Sequence, residues 1–145
     1  MLSFTPSKPK HRSIWDEINL PQRGNGLQQA IGKGLPYSAY LRIARYANMT
    51  NPQLAKAIGI NTSTLKRRAA TRQLNVDESD RVYRIAQLIN TATELFEGDK
   101  KKALEWLNTP ARGLNGHRPI MMAATHAGTT EVLDLIGRLE HGVFA

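Results

Sequence analysis

The chain has 145 residues, of which 41% are hydrophobic and 22% charged, a composition typical of globular proteins and unlike that of disordered chains. It contains no cysteine, which excludes disulfides, thiolate metal ligands and a cysteine nucleophile. The net charge of +8 divides into +10 for residues 1–75 and −2 for residues 76–145, so the basic half is a candidate for binding a polyanion.

The N-terminal stretch, residues 1–26, contains three prolines and little periodicity. This composition predicts an extended arm, in which Ile14, Trp15 and Ile18 are the expected anchors onto the body of the protein. A short helix is expected from Leu27 to Lys33. Pro36 then opens another helix, whose apolar stripe consists of Tyr40, Leu41, Ile43, Ala44 and Ala47.

The stretch MTNPQLAKAIGI contains the start and stop signals of a short helix. Thr50 or Asn51 is a suitable N-cap, and Pro52 fits a first helical turn, where its nitrogen needs no partner. Gly59 supplies the positive φ of a tight turn, and Asn61 caps the next helix. The apolar positions then match the spacing of a helix-turn-helix unit: Leu54, Ala55, Ile58, Ile60 and Leu65.

The second helix of this unit has an exposed face suited to DNA. Short polar side chains at its start can reach phosphates or base edges, and the cations one turn later can reach guanine edges. The predicted DNA-binding residues are Asn61, Thr62, Ser63, Thr64, Lys66, Arg67, Arg68 and Arg72. Arg68 stands where such units usually have an apolar residue, and neighbouring Ala69 could supply that packing. The alternative is an ordinary helical hairpin with a solvated basic face.

The rest of the chain is also helical in pattern, and no alternating strand pattern appears, so the predicted fold is all-α. A long helix runs from Asp77 to Phe96, and Asp99 caps a short one ending at Leu107. Pro119 is expected to begin a helix over residues 120–127 that Gly128 stops, before a last helix over residues 130–140. The predicted division is an arm (1–26), a helix-turn-helix domain for DNA binding and dimerisation (27–98) and a C-terminal domain (99–145).

Enzymatic function is not indicated. The four histidines, His11, His117, His126 and His141, lack metal-ligand spacing, and no nucleophile elbow, phosphate loop or dinucleotide fingerprint is present. We therefore expect no catalytic residues, metal or cofactor. No stretch approaches the roughly 20 apolar residues that span a bilayer, and no secretion signal is visible, so we expect a cytoplasmic protein without membrane contact.

Two features of the C-terminal part are unusual. Gly137 lies inside a predicted helix, where glycine costs about 1 kcal/mol relative to alanine, so either a neighbouring helix or another chain packs against it. The sequence also closes on Val143, Phe144 and Ala145. Val143 can fold back onto its own helix. Phe144 and the carboxylate of Ala145 are then free to anchor in a pocket.

The C-terminal part resembles the Xre/MbcA/ParS family of antitoxins. Its hallmarks here are Trp106-Leu107, Thr109-Pro110, Leu114, Gly116, Pro119, Ala127-Gly128, Val132 and the run from Gly137 to Val143. The upstream helices, with Glu78 to Arg81 opening the long one, resemble the Xre-like N-terminal part of the same family. The resemblance covers about residues 36–145.

This resemblance implies an antitoxin whose C-terminal domain binds a RES-domain toxin that depletes NAD. The domain would cover the entrance to the toxin's active site, while the N-terminal part binds operator DNA and represses the operon. The residues implied in toxin binding are Arg138, Glu140, His141, Gly142, Val143, Phe144 and Ala145. The C-terminal residues would then act as a plug.

Two other functions remain open from the sequence. The first is a stand-alone transcription regulator whose C-terminal domain only dimerises, and the second is a structural adaptor with little affinity for DNA. Helix-turn-helix proteins usually place two recognition helices in two half-sites, so at least a homodimer is expected.

Overall fold

The computed structural model describes residues 13–142, and over this range the all-α prediction is confirmed. Apart from one antiparallel bridge between Pro36 and Gln73, the described residues contain no β-structure. Two 3₁₀ helices, Arg112–Leu114 and Pro119–Met122, precede the last α-helix. The α-helices are α1 (Ile14–Ile18), α2 (Asn25–Lys33), α3 (Tyr37–Tyr46), α4 (Asn51–Ile58), α5 (Thr62–Thr71), α6 (Val76–Leu95), α7 (Lys100–Leu107) and α8 (His126–Glu140).

The ends of α4 and α5 form as their sequence signals predict. The Thr50 hydroxyl accepts from the Gln53 amide at 3.2 Å, while the Gln53 side chain accepts from the Thr50 amide at 2.9 Å. Gly59 ends α4 with a φ of 73°, in the left-handed region. The Asn61 carboxamide then caps α5 by accepting from the Thr64 amide at 2.8 Å. The reciprocal cap at Thr50 and the single cap at Asn61 satisfy orphan amides and fix the turn between the two helices.

Helix α6 is the central element of the fold. It contacts α1, α2, α3 and α4 on the N-terminal side and α7 and α8 on the C-terminal side. Its apolar residues that recur every three or four positions are fully buried at Val82, Ile85, Ala86, Ile89 and Ala92, whereas Phe96, the C-cap, is only partly buried. The two halves of the molecule therefore share one hydrophobic core built around this helix.

Two arginines of α6 bind the chain segments that precede α5 and α8. The Arg81 guanidinium donates from Nη1 to the carbonyls of Ile58 (3.1 Å) and Gly59 (2.9 Å), at the turn between α4 and α5. One turn later, Arg84 donates to the carbonyls of Ala123 and Ala124, both at 3.2 Å, just before α8. Because these carbonyls lie at helix ends or in irregular chain, the arginines replace their missing backbone partners.

The N-terminal stretch differs from the extended arm predicted for residues 1–26. Ser13 caps the short helix α1, and α2 begins two residues earlier than expected. The predicted anchors Ile14, Trp15 and Ile18 are indeed buried, and Trp15 packs on Tyr83 of α6 with ring centroids 5.7 Å apart. The capping box formed by Ser13 and Asp16 explains the helix. Residues 1–12 of the predicted arm lie outside the described residues.

The prediction for residues 119–130 is wrong in two respects. Pro119 begins a 3₁₀ helix that ends at Met122, and α8 begins at His126, before the expected Thr130. Gly128 therefore does not stop a helix; it lies in the first turn of α8, where its amide donates to the Thr125 hydroxyl. A Cβ at Gly128 would collide with the carbonyl oxygen of Met122, so glycine is needed here for close backbone packing.

Candidate functional site

The outer face of α5 is the candidate DNA-binding surface. Leu65 turns inward and is buried, whereas Thr62, Ser63, Lys66 and Arg67 are exposed. Helix α5 contains no acidic residue. Thr62, Ser63, Lys66 and Arg67 thus lie together on one exposed face, while the predicted Thr64 is partly buried.

Hydrogen bonds within α5 orient part of this surface. Arg67 Nη2 donates to the Thr64 hydroxyl at 3.3 Å, which directs the guanidinium back toward the N-terminal turn. The Asn61 side-chain oxygen is occupied as the cap of α5, so its amide nitrogen is the group left for an external partner. Arg72 ends the helix in the left-handed region with a φ of 62° and is exposed.

Arg68 does not belong to this exposed surface. Its Nε donates to Glu78 Oε1 at 2.7 Å, and the Glu78 side chain is only 7% exposed. The same Glu78 oxygen accepts from the Asn75 amide at 2.9 Å, which caps the start of α6. Arg68 therefore joins α5 to α6 by an ion pair. Ala69, expected to supply packing in its place, is exposed.

Sequence reasoning missed Glu78 as the partner of Arg68. A signal was present, because Asn75 followed three residues later by glutamate predicts a capping box. The pairing with Arg68 itself joins two helices and carries no local signature. Arg81 and Arg84 were missed for the same reason, since their acceptors are carbonyls 22 to 40 residues away in the sequence.

The predicted toxin-binding residues begin on the last turn of α8. Arg138 is partly buried, and its Nε has no hydrogen-bond partner among the described residues. Glu140 and His141 are exposed, and Gly142 follows with a φ of 69°. Val143, Phe144 and Ala145 lie outside the described residues, so their predicted role as a plug stays a prediction.

A shallow groove of about 400 Å³ runs along the outer side of α8. It is lined by Leu133, Asp134, Gly137, Arg138 and His141, which lie within about 2.2 helical turns of one another. Two of the predicted toxin-binding residues, Arg138 and His141, thus share one surface with Gly137. Over residues 13–142, no group of three or more acidic or histidine side chains is placed to hold a metal ion.

Comparison with known proteins covers almost the whole chain. Residues 26–87 match the model of the antitoxin Xre-like helix-turn-helix domain. Residues 91–142 match that of the antitoxin Xre/MbcA/ParS C-terminal toxin-binding domain. An antitoxin Xre of Yersinia enterocolitica is 38% identical over 94% of this chain and 93% of its own length. The chain belongs to the Xre/MbcA/ParS family of antitoxins. It is thus the antitoxin of a toxin–antitoxin system, with a helix-turn-helix domain and a toxin-binding domain.

Two further relatives extend this comparison. The antitoxin is 33% identical to an antitoxin Xre of Photorhabdus laumondii over 99% of both chains. It is also 27% identical to a Sphingobium protein named Prs ADP-ribosylating antitoxin, over 79% of this chain and 78% of that protein. The α5 surface lies within the matched helix-turn-helix domain, and the α8 groove lies within the matched toxin-binding domain. None of the helices in residues 13–142 is long and apolar enough to cross a membrane.

Proposed function

We propose that the antitoxin neutralises a RES-domain toxin that depletes NAD, and that it represses its own operon through α5. In this proposal the end of α8 and residues 141–145 cover the entrance to the toxin's active site. The antitoxin acts by steric occlusion and supplies no catalytic group or cofactor of its own. The observation that carries the proposal is that one chain builds two exposed surfaces, one in each matched domain.

The toxin half of the proposal is supported by the α8 groove and by one relative. Arg138 and His141 present polar groups at the groove, directly before residues 143–145. The Sphingobium relative is named for ADP-ribosylation, a reaction in which ADP-ribose is taken from NAD. A toxin that consumes NAD is consistent with that chemistry, and occlusion of its pocket explains how a small protein without catalytic groups can silence it.

The DNA half is supported by the exposed cations of α5 and by the rigid support behind them. Lys66 and Arg67 face solvent, while the Arg68–Glu78 ion pair and the Arg81 hydrogen bonds hold α5 and its turn against α6. A recognition helix that is held rigidly loses little entropy on entering the major groove. We further propose a homodimer, because two such helices are needed to read two operator half-sites.

Arg67→Ala should separate the two halves of this proposal. Loss of a guanidinium that reads a base edge is expected to weaken operator binding about 5- to 150-fold, by removing about 1–3 kcal/mol. Repression of a reporter should then fail, while a co-expressed RES-domain toxin should remain neutralised. Operator affinity is measured by fluorescence anisotropy at two salt concentrations, and neutralisation by growth and cellular NAD.

The matched control is Lys101→Ala, which removes one exposed cation from α7. It should leave operator affinity and the salt dependence of binding almost unchanged, because Lys101 lies outside the α5 surface. If Arg67→Ala abolished repression and neutralisation together in a protein that still folds, the two surfaces would not be separable. Unchanged repression would remove Arg67 from the DNA-binding surface.

A further inference from the structure

Gly137 is a glycine that the described fold does not require. It is the twelfth of the 15 residues of α8, at the start of the last turn, where alanine would stabilise the helical backbone better. Its φ is not in the left-handed region, and a Cβ added at this position would meet nothing within 4 Å. Of the two explanations that the sequence left open, packing of a neighbouring helix is therefore wrong for the described residues.

Gly128, in the same helix, is a glycine that the fold itself requires. A Cβ there would collide with the carbonyl oxygen of Met122 and come within 3.0 Å of the Thr125 hydroxyl. The fold itself therefore selects glycine at position 128. At position 137 the space beyond the Cα is open, so a different requirement must account for the glycine.

The position of Gly137 on α8 indicates an external contact. It lies about 140° around the helix axis from Val132, which is fully buried in the core. It lines the shallow groove, between Leu133 on the preceding turn and His141 on the following one. Arg138 borders the same groove. A groove that exposes a glycine, with open space where a side chain would stand, fits a closely packed partner.

We propose that the toxin packs directly against Gly137, so that its backbone passes within van der Waals distance of the α8 backbone. The toxin is the occupant because the groove lies wholly within the matched toxin-binding domain, residues 91–142. The groove also ends at His141, the first residue of the segment proposed to cover the toxin's active site. This inference rests on the proposed function and adds a second contact region, beyond the plug.

Gly137→Ala should stabilise the free antitoxin and weaken its complex with the toxin. The free protein is expected to gain about 2–4 °C in Tm, because alanine favours the helix and meets no atom of the described fold. The Kd for the proposed RES-domain toxin should rise at least about tenfold, since even one methyl group separates closely packed backbones. Gly137→Gln, with a longer side chain, should abolish detectable binding even if the toxin adjusts to a methyl group.

Gly32→Ala is the matched control. Gly32 lies in α2 of the helix-turn-helix domain, has no left-handed φ, and its added Cβ also meets nothing within 4 Å. It should raise the Tm similarly and leave the toxin Kd unchanged. The Tm is measured by differential scanning calorimetry, the Kd by titration calorimetry, and the oligomeric state of each free variant by light scattering.

The Tm, the toxin Kd and the oligomeric state together decide whether the toxin contacts Gly137. A higher Tm with weaker toxin binding supports the contact. Unchanged toxin binding in both Gly137 variants overturns it, and so does a lower Tm for Gly137→Ala, since the chain's own atoms would then occupy the site. A change in oligomeric state of the free Gly137→Ala protein would assign the groove to a second copy and also overturn the inference. Failure of the wild-type antitoxin to bind the toxin would instead refute the proposed function.

Discussion

Removal of residues 141–145 should abolish neutralisation of the toxin while leaving the antitoxin folded and able to bind its operator. The fold tolerates the truncation because the buried residues of α8, Thr129, Val132, Leu135 and Ile136, all precede the cut. The proposed complex does not tolerate it, because the segment that covers the toxin's pocket is lost. The toxin Kd should rise at least about 100-fold, or about 2.7 kcal/mol, and co-expressing cells should stop growing.

The control for this truncation keeps the chain length and replaces the side chains of the last five residues. Replacing residues 141–145 by five glycine and serine residues should fail to neutralise the toxin in the same way as the truncation. Circular dichroism and operator binding should match the wild-type antitoxin for both variants. Full growth rescue by the truncated protein would contradict the occlusion mechanism and leave α8 as the sole contact with the toxin.

Glu78→Ala should have the second large effect, by destabilising the fold and loosening α5. Glu78 is 5% exposed, pairs with Arg68 and caps α6 through the Asn75 amide. Its removal leaves a partly buried guanidinium unpaired and the backbone amide of Asn75 without its acceptor, while the Asn75 side chain still caps the amide of residue 78. Because the Arg68 side chain is 24% exposed, solvent screens part of the loss, so we expect about 2–3 kcal/mol in the free energy of unfolding. Urea denaturation measures this free energy of unfolding.

The matched control for Glu78 is Asp77→Ala, one residue earlier in the first turn of α6. Asp77 is 67% exposed and pairs with Arg81 at 2.8 Å along the helix. Such an exposed pair contributes at most about 1 kcal/mol, so this variant should unfold close to wild type. Operator affinity should fall in Glu78→Ala at temperatures where the protein is still folded, because α5 loses its link to α6. Equal stability of the two variants would show that the Arg68–Glu78 pair does not support the fold.

The helix-turn-helix unit could be predicted from the sequence because its determinants are local. Thr50, Pro52, Gly59 and Asn61 each act on a backbone group within a few residues, and the structure confirms each of them. The buried face of α6 was equally predictable, since its apolar residues recur with the helical period. For such elements the sequence pattern and the tertiary structure agree.

The remaining features depend on contacts that no local pattern encodes. Gly128 in the sequence is equally consistent with a helix stop and with close packing, and only the approach of the Met122 carbonyl decides between them. Arg68 was assigned to DNA because neighbouring cations are exposed, whereas Glu78, ten residues later, holds it against α6. Helix α1 was missed although Ser13 and Asp16 have the spacing of a capping box, because the prolines around it indicated an arm.

The most direct test of the antitoxin mechanism is a titration of the purified RES-domain protein with the purified wild-type antitoxin, with NAD consumption as the readout. The proposal predicts that NAD consumption by the toxin falls in proportion to added antitoxin and stops once every toxin active site is covered. A complex that forms, by light scattering, yet consumes NAD at the rate of the free toxin would contradict neutralisation by occlusion.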